Sequence, residues 1–178
     1  MKIKFFTTGG TIDKVYFDAK SEFAVGEPQV REVVENSNVG FEYEIESVLR
    51  KDSLDMTAQD RALVRQRIEA EPCSRIVVTH GTDTMIETAK ALGGIPNKTI
   101  VLTGSMQPAR FRVTDASFNI GAAIAAVQAL PAGVYIAMNG RIFDPHKVRK
   151  NRAKNVFEET EFRAGDGMNS GPRDRIHN

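Results

Sequence analysis

Short apolar runs alternate along the chain with longer segments of helical periodicity. Residues 76–78 are three consecutive β-branched residues, which is typical of a strand that is buried on both faces of a sheet. Similar or alternating patterns predict further strands at residues 2–6, 41–46, 99–102, 134–138 and 141–143. Other segments predict helices that begin near Pro28, Thr57, Thr84 and Asp115. Because strands alternate with helices, we expect one α/β domain of the flavodoxin or Rossmann type. Its sheet would be doubly wound and mostly parallel, with helices on both faces.

Residues at the element ends refine this prediction. Thr57 begins a helix with a cap-like pattern, and Thr84 with Glu87 three residues later spells a capping box. The helix after Thr84 is expected to run to the glycines at 93–94. An Asn-Gly pair at 139–140 predicts a hairpin between two strands.

Two segments carry no clear period. Residues 9–28 form a connection that is long for a compact domain, and we expect a lid there with a short hairpin. Residues 163–178 are polar and contain glycine, which predicts a flexible tail after a domain of residues 1–162.

Charge and composition argue against a nucleic-acid-binding, membrane-spanning or disulfide-rich protein. The 178 residues carry a net charge of +1, which gives no general electrostatic reason to expect nucleic acid or an anionic membrane as a partner. The apolar runs are shorter than the roughly 20 residues of a transmembrane helix. The apolar stretch at 3–6 is too short for a signal peptide, so we expect a cytoplasmic protein. Cys73 is the only cysteine, which excludes an internal disulfide; we expect an incidental thiol.

Two predicted strands end in a glycine that is followed directly by a threonine. These pairs are Gly10–Thr11 and Gly81–Thr82, and Asp83 follows the second pair at the start of a helix. In open α/β sheets ligands bind at the carboxyl ends of strands, where backbone N–H groups favour a carboxylate or an oxyanion. The alternative is that these residues act only as caps and turn formers.

The sequence offers little support for metal binding, nucleotide binding or a histidine base. No cluster has the spacing of metal ligands, and neither glycine-rich nucleotide-binding motif occurs at the expected joints, so we expect no metal and no cofactor. His80 is expected to be a structural hydrogen-bonding residue. Without a histidine base, a buried lysine is the best candidate to activate a threonine hydroxyl, but the residues alone do not choose which lysine.

Seven motifs in order identify a family. They are T-G-G-T-I at 8–12, K-D-S at 51–53, T-H-G-T-D-T at 79–84, V-L-T-G-S-M-Q-P at 101–108, T-D-A-S-F-N-I at 114–120, V-Y-I-A-M-N-G at 134–140 and V-R-K at 148–150. In order and approximate spacing the chain resembles the amino-terminal domain of the bacterial-type L-asparaginase family along nearly its whole length.

The resemblance implies a reaction and the residues that perform it. It implies hydrolysis of the side-chain amide of L-asparagine, with Thr11 as the covalent nucleophile and with Thr82, Asp83 and Lys150 moving protons. It also implies that Ser53 holds the α-carboxylate of the substrate and that Asp83 binds its α-ammonium. The implied substrate-binding residues are Gly10, Ser53, Gly81, Thr82, Asp83 and Ser105. Relatives assemble through dimers, so the resemblance implies a homodimer or homotetramer that acts on a small amino-acid substrate.

Several positions depart from the family pattern. Phe23 stands where the family has a catalytic lid tyrosine, and Tyr16 is a candidate to replace it. Leu54 and Asp13 also differ, which leaves open whether the amide belongs to asparagine, glutamine or another amino acid.

The family's second domain supplies an acid to a neighbouring subunit, and the chain stops about where that domain would begin. Glu158 and Glu159 are candidate local substitutes. The alternative to an enzyme is an amino-acid sensor that kept the pocket without turnover.

Overall fold

Strand β1 (Lys2–Gly9) lies inside a six-stranded sheet. The structure is a computed structural model that describes residues 1–17 and 22–160, without the side chains of residues 16, 17, 22 and 23. The other strands of this sheet are β4 (Glu42–Lys51), β5 (Arg75–Thr79), β6 (Thr99–Thr103), β7 (Gly133–Met138) and β8 (Arg141–Phe143). The predicted tail at 163–178 lies outside the described residues.

The spatial order of the strands is β4–β1–β5–β6–β7–β8. Every neighbouring pair from β4 to β7 is parallel, and β8 is antiparallel to β7. The predicted mostly parallel α/β sheet is therefore confirmed. The chain runs from β1 to β4 on one side and then crosses back past β1 to β5 on the other side. The strand order therefore reverses between β1 and β5, where doubly wound folds bind their ligands.

Four helices cover the two faces of the sheet, as predicted. Helices α2 (Ala58–Ala70) and α3 (Met85–Ala91) pack Val64, Ile68 and Met85 against one face. Helices α1 (Val30–Asn36) and α4 (Ala116–Ala129) pack their apolar residues against the opposite face. None of the helices within residues 1–17 and 22–160 is long and apolar enough to cross a bilayer.

The two predicted capping patterns have different outcomes. Thr57 caps α2 in a reciprocal capping box with Asp60, which confirms the cap-like pattern. The capping box at Thr84 is wrong, because its side chain makes no capping bond to α3. The Thr84 hydroxyl instead donates to the carbonyl of Ser53 over 2.7 Å. A hydrogen bond to the turn after β4 therefore takes the place of the predicted cap on α3.

Three antiparallel hairpins complete the fold. The expected hairpin in the long connection is confirmed as β2 (Lys14–Phe17) and β3 (Glu22–Val25). The Asn139–Gly140 turn joins β7 to β8 as predicted, with φ of 54° at Asn139 and 74° at Gly140. A third hairpin, β9 (Val148–Asn151) with β10 (Val156–Glu159), was not predicted, since each strand has only four residues.

Candidate active site

Two glycine-containing turns meet at the point where the strand order reverses. Gly10 follows β1 with a φ of 93°, and a Cβ atom at this position would overlap the backbone N and Cα of Gly81. Gly81 follows β5, and a Cβ atom there would lie 2.5 Å from Ser53 Oγ. Only glycine permits these approaches. The contact brings the two predicted Gly-Thr pairs side by side, with Ser53 from the turn after β4 beside them.

Lys150 joins this crevice from β9. Its Nζ donates to Thr82 Oγ1 over 2.8 Å and to Asp83 Oδ1 over 2.9 Å. Thr82 is 4% exposed, and the Lys150 side chain is 12% exposed. An ammonium that is held against a hydroxyl and a carboxylate in a largely dry site is arranged to exchange a proton with that hydroxyl.

A second cation faces Asp83, which the sequence reasoning missed. Arg152 Nε lies 3.8 Å from Asp83 Oδ1, the same oxygen that binds Lys150. The Arg152 side chain is 72% exposed, so its attraction is screened by water. The signal available in the sequence was its position two residues after Lys150.

Thr11 lies in a 3-10 turn, Thr11–Asp13, directly after Gly10. Asp13 is buried in this turn and accepts a hydrogen bond from the backbone N–H of Gln29 over 2.8 Å. Burial raises the pKa of Asp13 to about 6, and the Gln29 N–H opposes part of that effect. The backbone carbonyl of Asp13 also accepts from Gly26 N, which closes the base of the β2–β3 hairpin. The turn that carries Thr11 is therefore tied to the predicted lid.

Three further residues singled out in the sequence, Ser105, Tyr16 and Leu54, lie in different loops and strands. Ser105 is buried in the loop after β6, where its hydroxyl donates to the carbonyl of Gln107. The side chain of Tyr16 lies outside the described part of the structure, although its backbone pairs with Phe23 across the β2–β3 hairpin. Leu54, beside Ser53, is 65% exposed.

The two acids offered as local substitutes have other partners. Glu158 accepts hydrogen bonds from Arg149 and Asn151, and Glu159 pairs with Arg141. These contacts hold the β9–β10 hairpin together and tie it to β8.

His80 is fully buried between the turn after β5 and helix α3. Its Nδ1 lies 2.7 Å from the carbonyl oxygen of Gly81, and its Nε2 lies 2.8 Å from Thr88 Oγ1. Burial lowers the pKa of His80 to about 4, with a smaller contribution from the charge of Arg61, so the ring is neutral at ordinary pH. The prediction of a hydrogen-bonding role is confirmed.

A buried amide network, also missed in the sequence, supports the site from behind. Asn119 Nδ2 donates to the carbonyl of Gly104, and Asn119 Oδ1 accepts from the backbone N–H of Asn139. Asn139 Oδ1 in turn accepts from the N–H of Phe157, which pairs with Lys150 across the hairpin. A polar asparagine in an otherwise small and apolar helix was the available signal.

Metal binding has no support in this part of the chain. Within residues 1–17 and 22–160, no three His, Cys, Asp or Glu side chains gather in a way that could hold an ion.

Comparisons with known proteins agree with this geometry. The family model described as asparaginase, N-terminal, matches residues 2–166. L-asparaginase 2 of Escherichia coli (strain K12) is 31% identical over 195 residues, which cover 99% of this chain and 52% of that protein. The glutaminase-asparaginase of Acinetobacter glutaminasificans is 33% identical over 129 residues, which cover 69% of this chain and 38% of that protein.

A solved structure shows the same fold. The thermostable L-asparaginase from Thermococcus kodakarensis superposes with a TM-score of 0.81 at 27% sequence identity. The match covers all of this chain and 58% of the Thermococcus kodakarensis chain. The chain spans about half the length of the curated relatives it matches. By its motifs, its strand order and its match along residues 2–166, this chain belongs to the asparaginase family and corresponds to the amino-terminal part of its members.

Proposed function

We propose that the chain forms the site of an L-asparaginase-type amidohydrolase, which converts L-asparagine to L-aspartate and ammonia through a threonine nucleophile. The observation that carries the proposal is the group of Lys150, Thr82 and Asp83, in which one ammonium binds a buried hydroxyl and a carboxylate. Within the described residues of the crevice, a lysine amine binds the hydroxyl of a buried threonine, and a threonine activated by a lysine is the chemistry that these residues support best.

The proposed reaction has two steps. In the first, Thr11 Oγ1 attacks the side-chain amide carbon of asparagine. The Thr11 proton enters the relay of Lys150, Thr82 and Asp83 as the Lys150 ammonium gives one of its own protons to the amide nitrogen. The amide nitrogen takes a proton and leaves as ammonia, so that an acyl ester on Thr11 remains. In the second step, water adds to the ester carbon, its proton returns to Thr11, and L-aspartate is released.

Substrate binding follows from the charges around the crevice. Asp83 is the carboxylate that would bind the α-ammonium group in a charge-assisted contact. The hydroxyl of Ser53, close to Gly81, would bind the α-carboxylate, and Ser105 would border the same pocket. Backbone N–H groups at Gly10, Gly81 and Thr82 would stabilise the oxyanion, a contribution of roughly 100- to 1000-fold per donor in other enzymes. Tyr16 would close the site from the hairpin.

Ammonia release tests this proposal. Purified protein should release ammonia from L-asparagine, with L-glutamine as the competing substrate, and Thr11→Ala and Thr82→Ala should each lose at least about 100-fold. Thr160→Ala, an exposed threonine after β10, is the matched control and should keep full activity. A folded parent that releases no ammonia from either amide would overturn the proposal.

The second candidate function is an amino-acid-binding homologue without turnover. The observation that favours it is Phe23, which has no hydroxyl to relay a proton and stands where the family has its lid tyrosine. A rise in melting temperature with L-asparagine or L-aspartate, without ammonia release, would identify this function.

We also propose a cytoplasmic homodimer or homotetramer. The match of residues 2–166 to the asparaginase family, for which the resemblance implies assembly through dimers, supports this proposal. Light scattering that gives the mass of a monomer at working concentration would contradict this assembly.

A further inference from the structure

We infer that His80 is a positioning residue that holds the peptide group between Gly81 and Thr82, so that the Thr82 N–H faces the crevice as an oxyanion donor. The inference rests on the proposed function, because the oxyanion forms only if an amide is attacked. It adds a role for a residue that neither contacts the substrate nor exchanges its proton with it.

The hydrogen bonds around the ring assign its tautomer. The carbonyl oxygen of Gly81 can only accept, so the nitrogen that lies 2.7 Å from it, Nδ1, must carry the hydrogen. In the neutral ring Nε2 is then an acceptor, and the hydroxyl of Thr88 donates to it over 2.8 Å. Since Thr88 belongs to α3, a helix residue outside the crevice supplies the partner of Nε2 in the tautomer that binds Gly81.

His80 itself has little freedom to move. Its backbone N–H donates to the carbonyl of Thr103 over 2.9 Å, which continues the contact between β5 and β6 by one residue. Its carbonyl oxygen faces Gly104, where a Cβ atom would overlap it. With backbone and ring both held, the ring is a fixed support for the turn that follows.

The orientation of the next peptide follows from its planarity. The described residues contain no cis peptide bond, so the Gly81 carbonyl and the Thr82 N–H point in opposite directions. The carbonyl points towards the buried ring, and the N–H therefore points away from it. A preorganised N–H of this kind stabilises a developing oxyanion without rearranging during the reaction.

Two substitutions separate this role from a structural one. In His80→Asn the side-chain amide nitrogen lies close to the place of Nδ1 and can still donate to Gly81. In His80→Gln the amide lies nearer the place of Nε2, beside Thr88, and the Gly81 carbonyl loses its donor. Both remove the ring from the same buried space and should lower the melting temperature, and His80→Gln should lower it further because it leaves the Gly81 carbonyl without a donor.

The kinetic constants should differ between the two variants. We expect kcat for L-asparagine within about 10-fold of the parent in His80→Asn and at least about 100-fold lower in His80→Gln, the effect of losing one oxyanion donor. KM should change only a few-fold in both. Equal losses of kcat in the two variants, measured at a temperature where both are folded, would overturn the inference while leaving the proposed function intact. A parent without ammonia release would instead overturn the proposed function, and with it the positioning role of His80 in that reaction.

A spectroscopic measurement examines the geometry without using activity. Nitrogen-15 NMR of histidine-labelled parent protein at neutral pH should show His80 as the neutral tautomer with its proton on Nδ1. A proton on Nε2 would contradict the assigned hydrogen bonds and overturn the inference even if the enzyme is active.

Discussion

Lys150 Nζ lies 2.8 Å from Thr82 Oγ1, although the two residues are 68 positions apart in the chain. The lysine comes from an antiparallel hairpin, and the threonine comes from a turn of the parallel sheet. The candidate site therefore lies where the β9–β10 hairpin meets the turn after β5. The proposed activity should depend on proton transfer between Lys150 and Thr82 and on the placement of the hairpin.

Replacing Lys150 tests the chemistry. Lys150→Met keeps most of the side-chain stem and removes the amine, and we expect ammonia release to fall at least about 100-fold. Lys150→Arg keeps the positive charge but stays protonated at any working pH, so it should be equally inactive. Lys154→Met, an exposed lysine in the turn of the same hairpin, is the control. Full activity in Lys150→Arg would show that only the charge is needed.

Replacing Asn139 tests the placement of the hairpin. Asn139→Gly keeps a residue that tolerates the φ of 54° and removes the acceptor for the Phe157 N–H, opposite Lys150. We expect kcat to fall about 10-fold, with the free energy of unfolding reduced by roughly 1 kcal/mol for one lost hydrogen bond. Asn155→Gly is the matched control, because Asn155 has a φ of 55° in the turn of the same hairpin. The role assigned to Asn139 would be refuted if both variants had the same kcat.

Asp13 should make stability depend on pH in an unusual direction. Its folded-state pKa of about 6 lies above the ordinary value of 3.8, so the folded protein holds this proton more tightly than the unfolded chain. The free energy of unfolding should therefore fall as pH rises from about 4 to about 6, by up to about 3 kcal/mol from this group.

Asp13→Asn should remove that contribution, since the amide can still accept from Gln29 N–H but cannot ionise. Urea unfolding of parent and variant at several pH values between 4 and 7 measures the difference between them, in which all other titrating groups cancel. Two parallel curves would show that Asp13 titrates normally.

Gly10 should tolerate no side chain. Gly10→Ala places a Cβ atom against the backbone of Gly81 and forces alanine to a φ of 93°. We expect a loss of at least about 2 kcal/mol in the free energy of unfolding from overlap and strain. Gly121→Ala in α4, where a Cβ atom meets no neighbour within 4 Å, should instead gain roughly 0.5 to 1 kcal/mol. Thermal unfolding of both variants provides the comparison, and a stable Gly10→Ala protein would contradict the close contact.

The sheet and the crevice could be predicted from the sequence because their signals are local. The β-branched run at 76–78 identified a central strand, and the two Gly-Thr pairs marked the strand ends that meet at the reversal of strand order. The hydroxyl of Thr84 could not be placed in this way, because its pattern is that of a helix cap and the carbonyl of Ser53 competes for it only in the folded chain.

Long-range polar contacts were also beyond local patterns. Arg152 at Asp83 and Asn139 at Phe157 join residues from separate elements, and neither side chain has a periodicity that predicts its partner. The roles in catalysis and substrate binding stay predictions for every site residue, namely Gly10, Thr11, Tyr16, Ser53, Gly81, Thr82, Asp83, Ser105 and Lys150.

Among the strands of the main sheet β1 is synthesised first, and both of its neighbours in the sheet, β4 and β5, are synthesised later. Phe5 and Phe6 pack into the cores on opposite faces of the sheet, and β1 gains its second neighbouring strand only after Thr79 has emerged. Apolar surface that is exposed during this interval favours chaperone binding. Lys150 emerges later still, after the whole parallel sheet. The sheet that supports the site is therefore synthesised before the lysine that supplies its amine. A nascent chain that stops at Phe143 contains every strand of the main sheet but not Lys150.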